Sequence, residues 1–323
     1  MPTAVQVRQN GGPEVLEVGE VEVGDPGQGQ LLIQVAAAGV NYIDTYQRSG
    51  LYPLDLPIVL GLEGAGSVVA VGEGVTDFSA GDRVAWQGVP GSYAQRVLVP
   101  AASAVRVPDA VTDEIAAATL LQGITAHYLA ASTHPVQDGD TVLVHAAAGG
   151  VGLLLTQLAK ARGARVIGTV STAEKEALAK EAGADEVIRY TETDFAERTR
   201  ELTEGEGVAA VYDGVGQSTF DGSLASLRPR GVLALFGAAS GPVPPVDPQR
   251  LNAAGSVYLT RPSIGAYIRT REELDWRAGE LFGAVAEGTL KIRIGGAYPL
   301  AEARRAHEDL EGRRSTGKLL LLP

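Results

Sequence analysis

The stretch that most constrains this chain is residues 141–152. Thr141, Val142, Leu143 and Val144, rich in β-branched and aliphatic side chains, read as a strand. They run through His145 into Ala146, Ala147, Ala148, Gly149, Gly150, Val151 and Gly152, a turn built almost wholly of small residues. Residues 153–160 read as a helix and the apolar run 164–170 as a second strand. Strand, tight turn, helix and parallel strand in that order make the unit that cradles the diphosphate of a dinucleotide. The physical reason is close approach. A diphosphate sits against backbone N–H groups at a helix N-terminus, where unpaired donors and the helix dipole favour an anion. Larger side chains would hold it off. The spacing departs from G-x-G-x-x-G in one place, with Ala147 where the first Gly is expected.

The end of the second strand bears on which dinucleotide. An NAD site usually places Asp or Glu there for the ribose 2′-hydroxyl. Here the strand ends Thr169, Val170, Ser171, Thr172, with no acidic residue. Lys175 follows within a turn, and Tyr190 closes the next strand, 186–190. Hydroxyls and an ammonium suit a 2′-phosphate that a carboxylate would repel. The expected cofactor is therefore NADPH, although Glu174 and Glu176 make the site less basic than ideal.

The chain has 323 residues, enough for two domains, and 45 % apolar residues to build their cores. Its net charge of −12 argues against a nucleic-acid or anionic-membrane binder. No run is long and apolar enough to cross a bilayer. The first residues lack a signal-peptide pattern and enter a strand-like alternation, so a cytoplasmic protein is expected. Cys is absent, which removes disulfides, thiolate catalysis and every Cys-containing zinc site. The His residues, at 127, 134, 145 and 307, show no metal-ligand spacing.

Residues 1–100 read as β-rich, with strands at 31–35, 67–71 and 93–99 between Gly and Pro turn signals. Their spacing suggests a barrel-like or folded sheet. Residues 113–132 read as a helix whose register breaks at Gly123, a crossing between domains. Strands and helices then alternate. Further strands are expected at 208–213, 231–236 and 256–259, completing a doubly wound parallel sheet of α/β class. Ligands of such sheets lie beyond the carboxyl ends of the strands. Val215 in the 213–216 turn and residues 236–240 thus fall where the nicotinamide half belongs. A helix is expected at 270–287. Residues 317–322 read as a strand that rejoins the first domain, leaving the nucleotide domain as an insertion.

The chain resembles the medium-chain dehydrogenase/reductase superfamily along its whole length, most of all its zinc-free NADPH:quinone oxidoreductases, the zeta-crystallin-like group. Residues 39–53 (from Gly39, Val40, Asn41 and Tyr42 to Tyr52 and Pro53) and 145–152 are specific to that branch. Residues 61–68, Gly81-Asp82-Arg83-Val84 and 260–263 also match. The resemblance implies a Rossmann doubly wound parallel sheet inserted in a GroES-like, partly open β-barrel catalytic domain. The implied boundaries are 1–124 and 264–323 for the catalytic domain and 125–263 for the dinucleotide-binding domain. Zinc alcohol dehydrogenases carry a Cys and a Gly-His-Glu motif as metal ligands. Here Asn41 occupies the Cys region and the second motif reads Gly61, Leu62, Glu63, which leaves Glu63 alone. The chemistry is expected to run without a metal.

The resemblance places Asn41, Asp44, Tyr46 and Tyr52 at a cleft facing the nicotinamide. Tyr and Asn groups there can hydrogen-bond a quinone carbonyl and stabilise it as it gains charge, and Tyr46 or Tyr52 can steer a proton. Cofactor contacts are implied for Asn41, Tyr46, Tyr128, Gly150, Val151, Ser171, Lys175, Tyr190, Phe236, Gly237, Ser240, Ser263 and Arg313. Gly149 belongs to the same loop, and Gln122 and Thr125 fall near the nicotinamide. His145 reads as a packed residue at the strand end. The strand near 256–259 is an edge, edges invite pairing, and the family pairs there, so a homodimer is expected. The expected reaction is NADPH-dependent reduction of a small-molecule quinone. An alkenal or enone double-bond reductase is the alternative. Relatives that serve as lens crystallin or bind RNA supply a non-catalytic reading, against which the acidic charge and the intact phosphate loop weigh.

Overall fold

The computed structural model describes all residues, 1–323. The chain divides into two compact units, residues 123–269 and residues 1–122 with 270–323.

The inserted unit is a six-stranded sheet in the order Glu186–Arg189, Arg165–Val170, Thr141–Val144, Val208–Asp213, Leu227–Leu235, Tyr258–Thr260. Every pairing is parallel. The central strands are short runs of β-branched and small apolar residues because helices cover both faces of a parallel sheet. Leu143, Ile167, Val211 and Leu233 are fully buried in the shared core. Each such side chain contributes roughly 1.5–3 kcal/mol through burial.

Three sequence expectations shift. The helix runs unbroken through Gly123 as Asp113–Tyr128, and the irregularity comes later, in a π-turn at Leu129–Thr133. A lone Gly costs an otherwise well-packed helix only about 1 kcal/mol. The edge strand starts at Tyr258, not 256, because Gly255 (φ 102°) and Ser256 (φ 57°) are in the left-handed region. The unit ends at Arg269 rather than at residue 263. The reason is that Tyr267 stacks on Tyr128 at 4.2 Å and 6° and accepts a hydrogen bond from the Thr133 hydroxyl at 2.9 Å.

The other unit is built around the long strand Gln30–Val40. It pairs antiparallel with Glu63–Val71, with Arg96–Pro100 and with the last strand, Lys318–Leu322. The last strand of the chain therefore joins a sheet built by its N-terminal third. Its core holds Val35, Val40, Trp86, Tyr93, Leu319 and Leu321. The register sets Leu319 opposite Val40, which leaves Lys318 level with the corner that follows the long strand. The expected helix at 270–287 is Arg271–Ala286, capped by the Thr270 hydroxyl. No helix is long and apolar enough to cross a membrane.

Candidate active site

The turn at 146–149 reverses the chain through Ala146, whose φ of 49° is left-handed. Two backbone bonds tighten it, Ala147 N to Thr169 O at 3.1 Å and Gly149 N to Ala146 O at 2.8 Å. Gly149 is the N-cap of the helix Gly150–Ala161 and has no side chain to satisfy its first N–H groups. That end is thus bare backbone. Gly152 serves packing instead: a Cβ there would lie 2.3 Å from Ala146 O.

The turn after the second strand leads into the helix Ala173–Glu181, whose first turn carries Lys175. The Thr172 hydroxyl caps it, accepting from Lys175 N at 3.3 Å. Ser171 is half-buried, and its carbonyl accepts from the Thr191 hydroxyl at 3.1 Å. Tyr190 is bonded through its backbone to Val170 O at 3.1 Å and its ring is exposed. Glu176 lies 2.7 Å from Lys180 Nζ and 3.2 Å from Arg189 Nε. The Lys180 bond holds its carboxyl below the usual range. Two cations therefore already offset the negative charge beside Lys175.

Beyond the strand Val208–Asp213, the buried Asp213 shapes the next turn. Its Oδ1 accepts from Val215 N at 2.8 Å and Gly216 N at 3.0 Å. The Phe236 ring covers this turn so closely that a Cβ on Gly214 would lie 2.9 Å from it. A Cβ on Gly237 would meet Gly214 O at 2.4 Å. Ser240 Oγ accepts from Ser218 N at 3.0 Å and donates to Val215 O at 2.9 Å. Val215, Phe236, Gly237 and Ser240 are thereby brought together.

In the other unit, the helix Tyr42–Ser49 starts at Asn41, whose extended backbone makes it the N-cap. Asp44 reaches back to accept from Asn41 N at 2.8 Å, half of a capping box. The helix ends where Gly50 turns left-handed at φ 82°. Tyr46 lies between Tyr42 (6.2 Å) and the edge-on ring of Tyr52 (5.3 Å). Asn41, Asp44, Tyr46 and Tyr52 are thus one local cluster. Asn41 is buried, and both hydrogens of its amide are engaged, by Glu63 Oε2 at 3.0 Å and Gly39 O at 3.4 Å. Its carbonyl accepts from Lys318 Nζ at 2.8 Å. The expected role of Asn41 as donor to a substrate carbonyl would require displacing one of these bonds.

Lys318 also pairs with Glu63, whose other oxygen accepts from Leu121 N at 2.7 Å. Asp44 Oδ2 accepts from the Tyr93 hydroxyl at 2.8 Å, and its Oδ1 has no partner. Burial pushes the Asp44 carboxyl up to about 7, against the lowering effect of Asn41 N–H, Tyr93 and Lys318. His307 Nε2 lies 3.2 Å from the Tyr93 oxygen and its Nδ1 lies 3.0 Å from Arg48. The Arg48 guanidinium can only donate, so His307 carries its proton on Nε2. Burial, with Arg48 beside it, pulls His307 down to about 3. Arg48 closes the chain with two bonds to Glu311, at 3.0 and 2.7 Å. Burial and the neighbouring Asp44 raise the Tyr93 phenol well above its ordinary value.

The remaining expected residues are more dispersed. Gln122 is half-buried with an unpartnered Oε1. Thr125 is buried, and Tyr128 lies under Tyr267. Ser263 precedes the short helix Ile264–Tyr267. Arg313 is exposed, with a left-handed φ of 55° in the turn before the last strand. Sequence reasoning missed Lys318, Tyr93, Arg48 and His307. One signal was available for the first: a Lys opening the otherwise all-leucine strand Lys318–Leu322 needs a buried counter-charge.

Residues 27–109 match the family model of the alcohol dehydrogenase GroES-like domain, and residues 150–278 that of the zinc-binding dehydrogenases. A quinone oxidoreductase of Pseudomonas aeruginosa is 47 % identical over the full length of both chains. A 2-haloacrylate reductase of a Burkholderia species is 44 % identical over 100 % of this chain and 99 % of its own. The structure of a mycobacterial protein complexed with NADPH, 59 % identical, superposes with a TM-score of 0.97 over 99 % of this chain and 100 % of the other. The zinc in the second family's description does not suit the residues found here. An ammonium, an amide and a single carboxylate meet where Asn41 and Glu63 correspond to the metal ligands of the zinc alcohol dehydrogenases. No group of three or more His, Cys, Asp or Glu side chains converges on a metal site, and a resident cation at Lys318 opposes a second one.

Proposed function

Because the chain belongs to the quinone oxidoreductase family of the medium-chain dehydrogenases/reductases, we propose that it binds NADPH and reduces quinones by hydride transfer without a metal. The observation that carries this reading is the uncapped start of Gly150–Ala161, a helix N-terminus with no side chain in the way of a diphosphate. Gly149, Gly150 and Val151 hold that diphosphate through their backbone. Lys175, Ser171 and Tyr190 hold the 2′-phosphate, in the absence of any acidic residue at the end of the Arg165–Val170 strand. The charge of Glu176, drawn off by Lys180 and Arg189, no longer counts against them. Val215, Phe236, Gly237 and Ser240 line the nicotinamide half.

When bound, the reduced nicotinamide supplies the hydride. The protein's part is orientation and charge. Tyr46 and Tyr52 hydrogen-bond the substrate carbonyl and stabilise its oxygen as negative charge develops. Lys318 and Asp44 act behind them, holding Asn41 and the start of the Tyr42–Ser49 helix in place. Gln122, Thr125, Tyr128, Ser263 and Arg313 complete the proposed cofactor contacts.

Two further parts of the reading rest on specific observations. Tyr258 is 62 % exposed on the edge strand, which supports a homodimer formed through that edge. The 2-haloacrylate reductase at 44 % identity favours reduction of a conjugated double bond as the alternative activity. Steady-state assays with NADPH and, in turn, 1,4-benzoquinone, a naphthoquinone and an enal separate the two. Turnover of the quinones supports the proposal, and turnover of the enal alone replaces it with the alternative.

A further inference from the structure

His145 stands between the Thr141–Val144 strand and the left-handed Ala146 that opens the phosphate turn. Its strand has Arg165–Val170 on one side and Val208–Asp213 on the other. The imidazole is buried and bonds directly to Thr169 of the first, and through Ser223, on the helix Phe220–Ser226, to Asp213 of the second. Nδ1 lies 2.8 Å from the Thr169 hydroxyl and Nε2 lies 2.9 Å from the Ser223 hydroxyl. The Phe195 ring meets it edge-on at 4.7 Å and 86°.

The direction of each bond can be worked out from the hydrogens available. Ser223 has one hydroxyl hydrogen and donates it to Asp213 Oδ2 at 2.7 Å. Ser223 therefore accepts from His145, which puts the ring proton on Nε2. Nδ1 is left as the acceptor for the Thr169 hydroxyl. Burial also holds the imidazole below its ordinary pKa, so the ring is neutral. Asp213 then takes Val215 N, Gly216 N and the Thr219 hydroxyl on its remaining lone pairs. The result is one continuous line, Thr169 to His145 to Ser223 to Asp213 to Val215, with every donor and acceptor matched.

That line touches the roots of three turns. Ser171 and Lys175 follow Thr169, Gly149 and Gly150 follow His145, and Val215 follows Asp213. We propose that His145 is a positioning residue for the dinucleotide, fixing these three turns in register so that a single extended ligand engages all of them at once. The inference rests on the reading that these turns bind NADPH. A planar ring with two divergent nitrogens can span two hydroxyls on opposite sides, whereas an apolar side chain of the same volume fills the space and ties nothing. Pre-set turns spare the ligand the cost of ordering them.

Calorimetric titration of the whole chain tests this with NADPH, 2′,5′-ADP and reduced nicotinamide mononucleotide, on the unaltered protein and on His145→Leu. Each fragment spans only part of the three turns and so gains less from their mutual register. The expected result for His145→Leu is a loss of NADPH affinity of about ten-fold or more, the scale of a buried hydrogen bond left without its partner, with a much smaller loss for either fragment. His145→Gln, which keeps one donor and one acceptor, should restore most of the NADPH affinity. A common loss for NADPH and both fragments, or unchanged NADPH affinity with a lowered melting temperature, would overturn the proposal in favour of a packing role. If His145→Leu fails to fold, Ser223→Ala breaks the same line and carries the same expectations. Absence of NADPH binding by the unaltered protein would overturn the cofactor reading and this inference with it, a result distinct from the others.

Discussion

The ammonium of Lys318 donates to the side-chain carbonyl of Asn41 at 2.8 Å, across 277 residues of sequence. The same ammonium pairs with Glu63, and both partners are buried, Lys318 to 1 % exposure. The last strand of the chain thereby delivers a fixed positive charge to the corner from which the Tyr42–Ser49 helix departs. In a zinc enzyme a metal would organise that corner. Here a covalently attached cation lies at that corner, bonded to Asn41 and Glu63.

Replacing Lys318 by Met should therefore be severe. It leaves the Glu63 carboxylate buried without its counter-charge, which typically costs about 3–5 kcal/mol. Adding Glu63→Gln should recover a substantial part, because a neutral amide needs no counter-charge. Urea denaturation of the single and double variants measures both effects. A Lys318→Met protein as stable as the unaltered one would remove the pair from the account.

Asp44 sets a pH dependence whose sign follows from its raised pKa. Burial pushes its carboxyl up to about 7 in the folded chain, against its ordinary 3.8. The native state therefore keeps a proton that the unfolded state has lost. Stability from this group is full below the ordinary carboxylate range and disappears as pH rises through 7. His307 works the opposite way: held near 3 against 6.5, it adds stability as pH rises across that window. Glu63, Lys318 and Tyr93 face Asp44 and modulate its value. Asp44→Asn should keep the helix start and remove the Asp44 loss, so its stability relative to the unaltered chain should grow from about pH 4 to about pH 8, by at most ~4 kcal/mol. Denaturation series at both ends of that range check it. Parallel pH curves would show that Asp44 is ionised throughout.

The turn proposed to hold the diphosphate allows a cleaner separation of binding from folding. Gly150→Val adds a branched side chain at the bare helix start and should abolish NADPH binding with little change in melting temperature. Gly152→Val should instead damage the fold, since its Cβ would lie 2.3 Å from Ala146 O. Fluorescence titration and thermal melting of the two variants make the comparison. Retained affinity in Gly150→Val would show that the diphosphate is held elsewhere.

The inserted unit was the more legible part of the sequence. A parallel sheet covered on both faces writes itself as short apolar runs separated by small-residue turns, and all six strands were expected close to where they lie. Their ends were harder to read. The start of the edge strand depends on left-handed Gly255 and Ser256, a conformation that Ser does not advertise. Gly123 suggested a break that helix packing overrode. The polar line from Lys318 to Glu311 was invisible for a different reason. Apart from the Asn41–Asp44 capping pair, its members come from distant parts of the chain, and it is the antiparallel register of the last strand on Gln30–Val40 that brings Lys318 to it. The ion pairing of Glu176 with Lys180 and Arg189 was hidden as well, because it depends on where the next strand lies.

The measurement that bears most directly on the central claim is calorimetric titration with NADPH and NADH, on the unaltered chain and on Lys175→Ala. The account predicts a single NADPH site per chain that binds tighter than NADH. In the variant, NADPH should lose ~1–3 kcal/mol, the value of a charge-assisted hydrogen bond, while NADH changes little. No heat with either nucleotide, or equal losses for both in Lys175→Ala, would contradict it.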